Sequence, residues 1–219
     1  MKLLSVNVSQ LTTVAYRGRS VTTGIFKTPV AGRVKVRRTN LDGDRQADLS
    51  VHGGTDKAVY VYPSEHYATW AQELDRSDFA YGQFGENLTV EDMLEETIHI
   101  GDTFRVGGAL LEVTQPRVPC YKLGLKMGSA KFPKQFLASH RTGYYVRVLE
   151  EGNVGAGSSI ERTSTDPEQM TIRQAVHLAF FEQEDVAMLE KVLRIRALSQ
   201  DWRAMFQEQL VSVTSGKTR

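Results

Sequence analysis

The chain has 219 residues, 41% of them hydrophobic, and its 27 Lys and Arg nearly balance 26 Asp and Glu for a formal net charge of +1. That length suits one large domain, or one of about 150 residues with a small appendage, and the near-neutral balance argues against a dominant attraction to nucleic acid polymers or anionic membranes. One cysteine permits no internal disulfide, no stretch reaches the ~20 apolar residues of a spanning helix, and Met1–Val8 is too short and too alternating for a signal peptide; a soluble cytoplasmic protein is expected.

Up to residue 163 the chain reads mainly as short strands. Leu3 to Val8, Ile25 to Thr28, Gly32 to Val36, Ala58 to Tyr62, Thr103 to Val106, Leu110 to Val113, Tyr144 to Leu149 and Ser159 to Arg162 are β-branched, aromatic or alternating. Gly43, Gly101, Gly107-Gly108 and the run from Gly152 to Gly157 punctuate them as turns. Many short strands predict a barrel or sandwich, not a doubly wound sheet. Two helices interrupt the strands. Pro63-Ser64-Glu65-His66 opens the first, with Ser64 as N-cap and Tyr67, Trp70, Ala71 and Leu74 on one face. Phe132 to Ser139 forms the second. Thr163 to Pro167 reads as a linker. Beyond it Thr171-Ile172-Arg173-Gln174 matches a capping box, Asp185 to Arg196 carries a second apolar stripe, and Ser199 opens a third helix with Trp202, Met205, Phe206 and Leu210. The predicted class is mainly β with α: a β-barrel domain over 1–163 with helical insertions, a small three-helix domain over 164–213, and a frayed tail over 214–219.

Three stretches carry residues suited to chemistry. Thr114 to Leu123 holds Cys120 behind Pro116 and Pro119, which favour an extended connection rather than a helix interior. Arg117 and Lys122 flank the thiol. Cations favour the thiolate, the form that attacks carbon or binds metal; an unperturbed thiol is only about 3% ionised at pH 7. A buried, inert cysteine is the competing reading. In the second stretch His52, Gly53, Gly54, Asp56 and Lys57 fall within six positions before a strand. Paired glycines can form an anion nest, a lysine adds a point charge, and a histidine can shuttle a proton. The spacing is neither a Walker A loop nor a dinucleotide fingerprint, and a plain glycine turn competes. The third, Gly85-Glu86-Asn87-Leu88, sets a carboxylate and an amide at the entry to a strand, where a simple turn is the stronger reading of the stretch taken alone. Zinc is not supported: Cys120 and the scattered His52, His66, His99, His140 and His177 have no ligand spacing. A Cys120–His52 nucleophilic pair stays open. Arg141 and Arg147 are further candidates for a basic pocket.

Taken together and in this order, His52-Gly53-Gly54-x-Asp56-Lys57-Ala58, Gly85-Glu86-Asn87-Leu88 and Pro116-Arg117-x-Pro119-Cys120-x-Lys122-Leu123 resemble the MOSC domain family, named for the C-terminal domain of molybdenum cofactor sulfurases. The closer resemblance is to YiiM-type members, which add three C-terminal helices. The resemblance implies a MOSC-type β-barrel and a molybdenum cofactor, a pyranopterin dithiolene with a terminal phosphate, with Cys120 as the metal's thiolate ligand. It implies reduction of N-hydroxylated purine bases and amidoximes, with electrons from a separate flavoprotein reductase. His52, Gly53, Gly54, Lys57, Glu86, Asn87, Arg117 and Lys122 would bind the cofactor. Cys120, His52 and Asp56 would be catalytic, with Asp56, Glu86 or His52 supplying the proton. The alternative is a non-catalytic carrier of the cofactor or of a persulfide on Cys120. The helical appendage is a candidate pocket cover or homodimer interface, although its stripes are expected to be plain core.

Overall fold

The computed structural model describes residues 1–48 and 53–216. Its strands are β1 (Lys2–Val8), β2 (Thr12–Tyr16), β3 (Arg19–Thr23), β4 (Thr28–Pro29), β5 (Arg33–Val36), β6 (Val59–Pro63), β7 (Leu88–Glu91), β8 (Thr103–Val106), β9 (Ala109–Pro116), β10 (Tyr144–Glu150), β11 (Gly152–Gly155) and β12 (Ile160–Ser164). Its α-helices are α1 (Glu65–Glu73), α2 (Tyr121–Met127), α3 (Phe132–Ala138), α4 (Ile172–Phe180), α5 (Val186–Arg194) and α6 (Gln200–Thr214).

Eight strands form one sheet in the order β12-β8-β9-β10-β6-β7-β1-β4, while β11-β5 and β2-β3 pair separately. The expected barrel is corrected here, because this ladder is open. The free edge of β1 is divided between two neighbours: its C-terminal end pairs with β4, and near its N-terminal end Leu3 exchanges hydrogen bonds with Ser158 and Gly157. A single bridge between Lys2 and Ser159 therefore stands where a barrel would have a full ladder. Mixed β architecture with added helices is as expected.

The strand β6 explains where the site sits. Its five residues Val-Tyr-Val-Tyr-Pro are all buried. Successive side chains point to opposite faces of a strand. Val59 and Val61 thus enter the main core, while Tyr60 and Tyr62 enter a second, aromatic cluster with Trp70, Phe84, Leu123, Met127, Phe132 and Phe136. The main core is shared with the C-terminal helices: Ile172, Leu189, Val192, Trp202 and Phe206 belong to the same cluster as Leu3, Val113 and Val146.

Helix signals at the C-terminus match the structure closely. Thr171 and Gln174 form the reciprocal capping box, Asp185 accepts from Met188 N at 3.0 Å, and Ser199 accepts from Trp202 N. Helix α6 runs through Thr214, and residues 217–219 lie outside the described residues. Elsewhere four readings are corrected. Ser64 precedes α1 in a helical conformation and makes no capping bond. In Ile25 to Thr28 only Thr28 is in a strand, and Thr163-Ser164 ends β12 rather than opening a linker. The Gly152 run starts as a strand, not a turn. A Cβ on Gly152 would lie 2.0 Å from the carbonyl carbon of Gly108, so glycine is what lets β11 press against the turn before β9.

Candidate functional site

The chain leaves β9 at Pro116 still in contact with β10, Arg117 N donating to Gly143 O at 3.1 Å. It stays extended to Cys120, whose φ of −110° and ψ of 173° make it the residue before α2. The prolines thus do present Cys120 outside a helix interior, but a seven-residue helix that the sequence reading missed begins at the next residue. Gly124 and Gly128, poor helix formers, obscured it.

Cys120 lines a cleft of about 630 Å³, counted to its open mouth, within the size range of small-molecule sites. Tyr60, Asn87, Arg117 and Tyr145 form its inner surface. Thr23 to Ile25, Lys27 and Arg45 to Ala47 form the facing wall, and Val118 and Lys122 sit beside the thiol. Gly24 allows the two parts of that wall to meet, since a Cβ there would lie 2.0 Å from Arg45 O. Four cations, Lys27, Arg45, Arg117 and Lys122, are among the described lining residues, with no Asp or Glu.

Arg117 is 6% exposed, its guanidinium lying 5.1 Å from the ring centroid of Tyr60 and 5.3 Å from that of Phe136. The rings hold the planar group through cation–π contact. Its Nη1 is buried and has no hydrogen-bond partner. Lys27 is ion-paired with Asp44, whose carboxylate also accepts from Ser9 N at 2.9 Å and from Asn87 Nδ2 at 3.0 Å. Burial lowers the Lys27 pKa against the pull of Asp44. Burial also raises the Tyr60 and Tyr145 phenols, so both stay protonated donors at neutral pH.

Of the residues expected from sequence, Cys120, Arg117, Lys122 and Asn87 meet at this cleft. Asn87 is anchored on both ends, its Oδ1 accepting from Tyr60 N at 3.1 Å and its Nδ2 donating to Asn7 O and Asp44. His52 lies outside the described residues. Gly53, Gly54, Asp56 and Lys57 are not among the described lining residues. Asp56 instead binds Arg147 at 3.0 Å and accepts from Gln200 N, and Lys57 pairs with Asp201 at 2.6 Å, so this turn clasps the start of α6. Glu86 is fully buried and accepts from Gly82 N, Phe84 N, Thr89 Oγ1 and the Tyr67 hydroxyl, holding its own loop. Arg141 stacks on Trp70 and pairs with Glu73, and Arg147 pairs with Asp56 and Glu112. His66 is buried against Glu95 at 2.6 Å. Lys27 and Arg45 are the lining cations that sequence reasoning did not select. The one available signal was that Lys27 sits in an apolar-flanked segment with no acid nearby in sequence. Among the described residues no three His, Cys, Asp or Glu could hold a metal ion, and no helix is long and apolar enough to cross a membrane.

A lone thiol in a cationic cleft, on an open β-sheet with three C-terminal helices, defines a mixed-β protein with a built small-molecule site. The chain belongs to that family: the MOSC domain matches residues 48–161, and the YiiM-like, 3-alpha helix domain matches 170–212. It is 41% identical to the uncharacterized protein YflK of Bacillus subtilis, over 94% of this chain and 93% of that one. The crystal structure of YiiM from Geobacillus stearothermophilus superposes with a TM-score of 0.82 at 33% identity, covering 95% of this chain and 98% of that one. A protein named Reductase from Gibberella moniliformis is 37% identical over 65% of this chain, a match spanning 26% of that protein.

Proposed function

We propose that the chain is a molybdenum cofactor-dependent reductase of N-hydroxylated compounds, with Cys120 as the protein ligand of the metal. The observation that carries this reading is the cleft itself: one thiol and four cations line one space, and one of the cations has a buried N–H group without an acceptor. A buried guanidinium nitrogen without an acceptor is costly, and an anionic ligand would relieve it. A soft thiolate suits molybdenum, and the basic lining suits a cofactor with a terminal phosphate. The donor set therefore fits the group. The reductase name of the Gibberella relative points the same way.

When bound, the cofactor supplies the two-electron redox centre. Arg117, rigid between its rings, would fix an anionic edge by paired N–H donors. Lys122 and Arg45 would add charge at the mouth. Asn87 is already spent on Tyr60, Asn7 and Asp44, so it shapes the cleft and positions Asp44 rather than reading a ligand edge. The reaction R–NH–OH + 2 e⁻ + 2 H⁺ → R–NH₂ + H₂O breaks the N–O bond and consumes two protons. Lys27 is the best-placed donor of one of them: it lines the cleft, and burial already weakens its hold on the proton. Asp56 and Glu86 are not among the described lining residues.

The test is metal and pterin analysis of chain produced in a host that makes the cofactor, beside Cys120→Ala. Wild type should carry molybdenum and pterin in near one-to-one ratio and reduce an N-hydroxylated purine base with dithionite-reduced methyl viologen. Cys120→Ala should lose that turnover. Wild type without pterin would end the reading, and pterin without turnover would favour a carrier.

A further inference from the structure

The net charge of +1 hides a strong segregation. Met1–Leu41 holds eight Lys and Arg and no Asp or Glu, and Val113–Leu149 holds seven and none. These two acid-free stretches meet at the mouth of the cleft. The first supplies the hairpin β2–β3, which pairs only with itself and stands off the main sheet with most of its residues exposed. The second supplies Val118, Cys120 and α2. They touch through Tyr16 and Tyr121, whose rings stack at 6.1 Å between centroids and 25° between planes, with the guanidinium of Arg17 over Tyr16.

The surface so formed carries both exposed apolar and cationic side chains. Tyr121 is 53% exposed, Leu11 45% and Val118 43%, with exposed Arg17 and Arg19 beyond them. Exposed apolar groups clustered within a polar rim mark interaction sites, and like-signed rim charge sets the sign of the partner.

Resting on the reductase reading above, we propose that this face, the hairpin together with Val118 and Tyr121, docks an acidic electron-carrier protein. The reaction consumes two electrons that the chain has no means of storing beyond the cleft: one cysteine cannot hold an iron–sulfur cluster, and no flavin- or nicotinamide-binding fingerprint is present. The donor's own redox centre therefore lies outside these 219 residues. Val118 and Tyr121 adjoin Cys120 in sequence, so a carrier seated here brings its own centre next to the thiol. In stoichiometric terms one two-electron carrier, or two one-electron carriers, is oxidised for each N–O bond broken.

The experiment compares two donors. Cofactor-loaded wild type, Arg17→Glu/Arg19→Glu and Tyr121→Ser are assayed with dithionite-reduced methyl viologen and with reduced flavodoxin, an acidic FMN protein. Flavodoxin binding to cofactor-free chain is measured by calorimetry. The proposal expects methyl viologen rates within about twofold of wild type. It expects flavodoxin KM and Kd in the charge-reversed variant to rise by about tenfold or more, with loss of the salt dependence seen in wild type. Equal losses with both donors would overturn it, because the face would then serve substrate or fold. Unchanged flavodoxin kinetics would overturn it too, as would a change in oligomeric state by light scattering, which would make the face a contact between copies. Wild type inactive even with methyl viologen would refute the reductase reading and the docking face with it.

Discussion

Glu86 lies in one of the three motifs and yet is not among the described residues lining the cleft, which makes Glu86→Gln a sharp test. Its Oε1 accepts from Gly82 N at 2.7 Å, from Thr89 Oγ1 at 2.9 Å and from the Tyr67 hydroxyl, and its Oε2 accepts from Phe84 N at 3.1 Å. Glutamine keeps the shape but offers one acceptor oxygen. Three bonds fall from charged to neutral strength, each losing about 0.5–1 kcal/mol, and Phe84 N–H then faces an amide donor at a cost of about 1–3 kcal/mol. Relief of the buried carboxylate's desolvation offsets part of this. The net is roughly 2–4 kcal/mol, or a Tm lower by roughly 5–15 °C for a chain of this size. Thermal unfolding followed by circular dichroism measures it, with cofactor content determined on the folded fraction. On the proposed function, folded Glu86→Gln should keep the molybdenum and pterin content of wild type. A variant that unfolds within about 2 °C of wild type but has lost the cofactor would refute a structural role for this carboxylate.

Further outcomes follow from the packing and the charges. Lys126 is half-buried, its Nζ donating to Ile25 O and Gly82 O, and desolvation lowers its pKa to about 8 from 10.5. Between those values the unfolded chain binds more protons than the native one, so stability rises with pH through that window and the penalty is fully present below it. The stability of wild type relative to Lys126→Met, from urea titrations at pH 7 to 10.5, should therefore climb by about 1–3 kcal/mol; parallel curves would contradict the burial. The Lys57–Asp201 pair is exposed on the Asp201 side, 72%, and a double-mutant cycle should return no more than about 1 kcal/mol, with cofactor content unchanged in Lys57→Ala. Trp202→Ala should cost about 3–5 kcal/mol and still unfold in one transition, because the helices and the sheet share a core. Two separated transitions in calorimetry would show instead that the C-terminal helices fold independently.

Strong local signals carried over into three dimensions wherever burial and capping acted together. Thr171, Asp185 and Ser199 each cap the helix they were expected to open, and β6 alternates between two apolar clusters as its Val-Tyr pattern requires. The hairpin β2–β3 went unread because its alternation is weak: Val14, Tyr16 and Val21 are only half-buried, and Thr, Ser and Arg make up most of the rest. The Gly152 strand looked like a turn because Gly152 answers to backbone contact with Gly108 and Gly155 to contact with Gly32, both long-range facts. The site divided along the same line. Cys120 with its flanking cations was legible from one short stretch. That Lys27 and Arg45 join it, while Asp56 and Lys57 turn away toward α6, depends on how distant segments fold together.

The position of Cys120 has a practical consequence for measurement. It is the chain's one cysteine, and it is neither fully buried nor at the open surface. A maleimide fluorophore or nitroxide added to the native sequence therefore attaches at a single known point, the mouth of the cleft. Spectra of such a conjugate would report ligand entry and hairpin movement without any background thiol to remove, and protection from the label would count occupied clefts molecule by molecule.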